Sequence, residues 1–86
     1  MAQYLVVVES DYKRGSPNYR IHTSELLDQA GAEALMAQLR AGSSDLLPAQ
    51  PGAHVVDLGP GQFLRVRRRH GATVLDRVTL GEASTQ

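Results

Sequence analysis

The stretch from Phe63 to Leu80, FLRVRRRHGATVLDRVTL, constrains the fold of this chain more than any other. Two β-prone runs flank His70-Gly71, a pattern that predicts two antiparallel strands joined by a tight turn. The stretch also holds five of the nine basic side chains of the sequence. The pairing register of this predicted hairpin therefore decides which arginines share a face of the sheet.

Two turn lengths fit the middle of the hairpin. A two-residue turn at His70-Gly71 pairs Arg65 with Asp76 and mixes charged and apolar side chains on both faces. A three-residue loop that begins at Arg69 instead places Gly71 in the left-handed position of a bulged turn, where glycine is preferred. Because this second register gathers the apolar side chains on one face, we favour the three-residue loop.

The favoured register collects four arginines on the other face, which we predict as the interaction face: Arg65, Arg67, Arg69 and Arg77. Asp76 turns inward in this register, and a buried carboxylate needs a basic partner, for which Arg68 or Arg77 is the nearest candidate. The arginine face suits a solvated surface, docking on an acidic protein surface, or contacts with nucleic-acid phosphates, in that order of preference.

A second basic segment, Tyr12, Lys13 and Arg14, would extend a nucleic-acid surface. However, proteins that bind single strands stack bases on exposed aromatic side chains, and the predicted arginine face offers Phe63 alone. The formal net charge of the chain is zero, so no overall field attracts nucleic acid or a membrane. We therefore favour protein–protein contact through the arginine face or an exposed sheet edge, with nucleic-acid binding as the alternative.

The other strands follow from local patterns. Residues 3–9, QYLVVVE, are apolar on both faces and predict a central strand that is covered on both sides. Residues 18–24, NYRIHTS, alternate like a half-buried strand paired with the first. Residues 54–58 predict a short strand. Residues 10–17 and 42–53 have the composition of loops, and we expect Leu46 and Leu47 to pack under the domain.

A helix is expected between the second and third of these strands. An apolar stripe of helical period runs through Ala32, Leu35, Met36 and Leu39. Asp28 is a good N-cap, and Gly42 follows the last apolar residue as a C-terminal stop.

The resulting order, β-β-α-β-β-β, predicts a two-layer α+β fold in which a single helix packs on a mostly antiparallel sheet of four or five strands. A β-grasp-like arrangement is compatible with this order. We predict one domain over residues 1–80 and a flexible polar tail over residues 81–86.

The residues predict no catalytic, metal or cofactor site. Cysteine is absent, and His22, His54 and His70 lack the short spacings of metal ligands. The serines lack a nucleophile motif, and no helix follows Gly59-Pro60-Gly61 to bind a phosphate. We therefore expect a non-catalytic protein without a small-molecule substrate. Its apolar runs are too short to span a bilayer, which favours a cytoplasmic location without membrane contact.

The first strand carries more apolar side chains than one helix can cover. Leu5 and Val7 lie on one face of this strand, and Val6 and Val8 lie on the other. The helix covers one of these pairs, so the other pair needs a different part of the chain to cover it. Leu46 and Leu47 could supply this cover. Otherwise the uncovered pair becomes a contact surface, for which a two-fold homodimer is the commonest solution. We therefore expect either a homodimer or an acidic protein partner.

Overall fold

The computed structural model describes residues 2–15 and 19–86. Five strands form one antiparallel sheet in the order β2-β1-β7-β6-β5, and two short strands form a separate hairpin. The elements in chain order are β1 (Gln3–Lys13), β2 (Arg20–Thr23), α1 (Gln29–Ala41), β3 (Ser43–Ser44), β4 (Leu47–Pro48), β5 (His54–Gly59), β6 (Gln62–Arg69) and β7 (Ala72–Ala83). The predicted α+β architecture, one helix on an antiparallel sheet, is confirmed.

Helix α1 begins and ends at the residues that the local signals indicate. The carboxylate of the N-cap residue Asp28 accepts a hydrogen bond from the N–H of Gly31 at 2.7 Å. Gly42 has a φ of 77°, the left-handed conformation that ends many helices, and its N–H donates to the carbonyl of Leu39. Leu39 and Ala32 are buried, which confirms the predicted apolar stripe.

The hydrophobic core lies between α1 and one face of the five-stranded sheet, which we term the covered face. Its buried side chains are Val6, Val8, Ala32, Leu39, Leu47, Phe63 and Val78. Leu47 reaches this core from the β3–β4 hairpin and is 2% exposed, while Leu46 packs against the core from beside it. The predicted irregular segment 42–53 therefore contains a short hairpin, and its leucines add to the cover that the helix provides.

The edges of the sheet differ from the sequence prediction. β1 continues to Lys13, so the predicted loop 10–17 begins as strand, and residues 16–18 lie outside the described residues. β2 is exposed along its whole length rather than half-buried, because it is an edge strand that pairs only with β1. The first residues of the predicted flexible tail belong to the sheet, since Ala83 pairs with Gln3.

The β6–β7 hairpin takes the register that the sequence pattern disfavours. Arg69 pairs with Ala72, and Arg65 pairs with Asp76. The two turn residues have left-handed φ values, 52° at His70 and 78° at Gly71. Such a pair is typical of a type I′ turn, whose twist matches that of the flanking strands. The prediction of a three-residue loop is therefore wrong.

Candidate functional site

The observed register disperses the predicted arginine face. Arg65 and Arg67 lie on the covered face, and their side chains are 8% and 12% exposed. Arg77 lies on the opposite face of the sheet, and Arg69 is exposed beside the turn. The prediction of one face with four available arginines is therefore wrong, because two of the four are interior side chains.

The carboxylate of Asp76 explains how two arginines can lie inside the domain. It is buried and accepts hydrogen bonds from Nε of Arg65 at 2.8 Å and from Nε of Arg67 at 3.3 Å. Arg65 also donates to the carbonyl of Pro48 at 2.6 Å, and Arg67 donates to the carboxylate of Asp11. The expected buried ion pair of Asp76 is thus confirmed, although its partners are not the predicted Arg68 or Arg77.

This network favours the charged forms of Asp76 and Arg67. Burial alone would raise the pKa of the Asp76 carboxyl, but hydrogen bonds from Arg67, the N–H of Asp11 and Arg65 lower the pKa below its ordinary value. Burial alone would lower the pKa of Arg67, but its hydrogen bonds to Asp76 and Asp11 raise that pKa above its ordinary value. These charges satisfy one another inside the domain, so they are not available to a partner.

Asp76 also fixes a bulge in β1. Two β1 residues, Ser10 and Asp11, lie opposite Asp76, where a regular ladder has one. Asp11 has a φ of 63°, and its N–H donates to Oδ1 of Asp76 at 3.0 Å. Because side chains alternate between the faces of a strand, the extra residue places Tyr12 on the same face as Leu75 instead of on the covered face.

The sheet face turned away from α1 is termed the open face. Both α1 and the β3–β4 hairpin pack on the covered face, and residues 2–15 and 19–86 contain no other helix or strand outside the five-stranded sheet. Val56 is 43% exposed there and Ile21 is 56% exposed. All five strands contribute apolar side chains to the open face: Leu5, Val7, Tyr12, Ile21, Val56, Leu58, Leu64, Val66 and Leu75. The prediction that β1 is covered on both faces is therefore wrong.

A cavity of about 460 Å³ lies in the open face. The rings of Tyr12 and Tyr19 meet edge to face on its rim, with centroids 5.9 Å apart. Its lining residues are Glu9, Tyr12, Tyr19, Leu58, Leu64, Leu75 and Arg77. The three residues of the predicted secondary basic loop therefore do not form one site. Tyr12 lines the cavity, whereas Lys13 and Arg14 are exposed and do not line it.

An ion pair between Arg77 and Glu9 forms the polar centre of the open face. Nε and Nη2 of Arg77 donate to the two carboxylate oxygens of Glu9 at 2.9 and 3.0 Å. The side chain of Arg77 is 50% exposed and that of Glu9 is 25% exposed. Arg68 lies on the same face at the turn end of β6 and is exposed. The open face is therefore an apolar surface with a neutral pair of charges at its centre and one further cation near the turn, rather than a basic surface.

The remaining candidate residues lie apart from the open face or at its rim. The three histidines are exposed: His22, His54 and His70. No group of three acidic, histidine or cysteine side chains that could hold a metal ion occurs in the described part of the chain. Asp57 accepts a hydrogen bond from Nη2 of Arg40 at 2.7 Å. In residues 2–15 and 19–86, no helix has both the length and the apolar character needed to cross a bilayer.

Most residues of the open face were not predicted from the sequence, because the arginines are its most prominent functional signal. One signal did indicate this face. β1 is apolar on both sides, and the structure covers Val6 and Val8 but leaves Leu5 and Val7 without a cover. Comparisons with protein-family models, with curated proteins and with solved structures found no match.

Proposed function

We propose that this protein is a non-catalytic binding module that associates with another protein through the open face of its sheet. The observation that carries the proposal is the contrast between the two faces. The covered face is closed by α1 and by Leu47, whereas the open face exposes apolar side chains from five strands. Contiguous apolar patches of more than a few hundred Å² are rare on monomers and mark contact surfaces.

The chemistry of the open face defines the partner. A surface that fits is apolar over most of its area and carries both a cation and a carboxylate, to match Glu9 and Arg77. A purely acidic surface fits less well, because Glu9 already neutralises Arg77 at 2.8 Å. The open face resembles the centre of many protein interfaces, because it is apolar and carries few charges, and this resemblance supports the proposal.

The positions of the arginines support nucleic-acid binding less than the sequence pattern does. Arg65 and Arg67 donate to carboxylates inside the domain. Arg68 and Arg69 are exposed at the end of β6, and Arg68 donates to the carbonyl of Gly71. A few scattered cations bind phosphates more weakly than a continuous basic stripe.

Two neighbouring residues of β5 provide a matched test. Val55 and Val56 are 39% and 43% exposed, but Val55 pairs with Arg65 on the covered face and Val56 pairs with Leu64 on the open face. We expect Val56→Asp to abolish binding and Val55→Asp to leave it unchanged, because only the first places a charge in the proposed surface.

A photo-crosslinking amino acid placed at position 58 is used to capture the binding partner. Leu58 is 49% exposed and lines the cavity in the open face. The control position is Ala34, an exposed residue of α1. The protein crosslinked from position 58 is identified by mass spectrometry, purified and titrated with the wild-type chain and both valine variants. Crosslinks from position 34 alone, or equal binding by Val55→Asp and Val56→Asp, would overturn the proposal.

A further inference from the structure

We infer that the protein bound on the open face is a second copy of this chain, packed face to face about a two-fold axis. This inference rests on the proposed function and names its partner. Two stacked sheets would form a four-layer assembly, with one α1 on each outer side. The sheets of such sandwiches lie about 10 Å apart, and their apolar side chains interdigitate.

The size of the open face fits a reversible dimer. Five strands spaced about 4.8 Å apart, each contributing about seven residues at about 3.3 Å, give a face on the order of 550 Å². Two such faces would bury on the order of 1,100 Å², near the lower end of specific protein interfaces. Because the core of each copy is already closed by α1 and Leu47, the single copy remains folded when the dimer dissociates.

The two charges at the centre of the open face are complementary to themselves. A two-fold interface brings residue i of one copy to residue j of the other, and j to i in return. Arg77 lies on β7, the middle strand of the sheet, and Glu9 lies beside it on β1. A two-fold axis through this centre sets Arg77 against the partner's Glu9 and Glu9 against the partner's Arg77. The two ion pairs then form a ring of alternating charges. A strongly basic partner would instead face Arg77 with a like charge, and a strongly acidic partner would do the same to Glu9.

Two charge substitutions test this arrangement. Arg77→Glu gives the centre two negative charges, and Glu9→Arg gives it two positive charges. We expect each variant alone to dimerise more weakly than the wild-type chain by a factor on the order of 10 to 100, because like charges then meet across the axis. An equimolar mixture of the two variants should form a heterodimer that weakens as salt increases.

Sedimentation velocity over a concentration series measures these associations, and circular dichroism confirms that each variant is folded. A wild-type chain that stays monomeric at millimolar concentration, variants that dimerise like the wild type, or a mixture that stays monomeric would each overturn the second copy as the partner. If Leu58 then still crosslinks a different protein whose binding requires Val56, the proposed function stands without this inference. If Val56→Asp has no effect in either assay, both are overturned.

Discussion

The backbone N–H of Asp11 donates to the buried carboxylate of Asp76 at 3.0 Å, and this contact joins the interior of the domain to its open face. It holds the β1 bulge that places Tyr12 opposite Leu75, where the Tyr12 ring also meets Tyr19. A charged network on the covered face, next to Pro48 of β4, therefore shapes the apolar surface on the other side of the sheet.

Replacing Asp76 with Asn should strongly destabilise the domain. The substitution removes the carboxylate that accepts from both Arg65 and Arg67, and breaking a buried ion pair costs about 3–5 kcal/mol. That is a large share of the stability of a small domain. Urea unfolding followed by circular dichroism measures the loss. The control is Asp57→Asn, whose ion pair with Arg40 is exposed and should matter little. Wild-type stability of Asp76→Asn would contradict the role of the network.

The same carboxylate should make stability depend on pH in acid. The pKa of Asp76 lies below its ordinary value in the folded domain. Between these two pKa values the unfolded chain binds a proton that the folded chain does not, so the free energy of unfolding falls as pH decreases. This stabilisation is complete above the ordinary aspartate pKa of about 4 and is lost as pH falls through the folded value. An NMR titration of the Asp76 carboxyl carbon checks it, and a midpoint at or above the ordinary value would contradict it.

The type I′ turn predicts opposite results for two neighbouring substitutions. Gly71→Ala should lower stability by about 1–2 kcal/mol, because a side chain opposes a left-handed backbone. A β-carbon there would meet no atom within 4 Å, so the cost comes from the backbone alone. Gly81→Ala is the matched control, with equal space but no left-handed φ. His70→Asn should preserve or raise stability, since Asn-Gly is a preferred type I′ pair. Thermal unfolding measures all three, and a clear loss in His70→Asn would argue against this turn.

Two leucines should separate folding from association. Leu47 is 2% exposed in the core, so Leu47→Ala should lower the free energy of unfolding by about 2–5 kcal/mol. Leu58 is 49% exposed on the open face, so Leu58→Ala should change that free energy by less than about 0.5 kcal/mol. Leu58→Ala should nevertheless weaken dimer formation. Unfolding at low concentration and sedimentation at high concentration distinguish these effects, and equal loss of stability in both variants would contradict the assignment of the two faces.

Local signals were sufficient to predict the helix. Its N-cap Asp28, its stop at Gly42 and its apolar stripe each depend on residues within a few positions of one another. They also predicted β1 and the hairpin strands, because β-branched and apolar residues recur there with the period of a strand.

The hairpin register could not be predicted in the same way. The observed register places charged side chains on the covered face. It is stable because two distant residues complete the network: Asp11, which is 65 residues away from Asp76, and Pro48. Which apolar face of β1 stays open depends likewise on where Leu47 packs. Both outcomes depend on contacts between distant parts of the chain, which periodicity does not reveal.

The most direct test of the open face is an isotope-filtered NOE experiment on an equimolar mixture of labelled and unlabelled protein, at a concentration where it dimerises. We predict intermolecular NOEs at the methyl groups of Val56, Leu64 and Leu75, and none at Ala34 on the outer side of α1. Intermolecular NOEs confined to α1 or to the β2 edge, with none from the open face, would contradict this account.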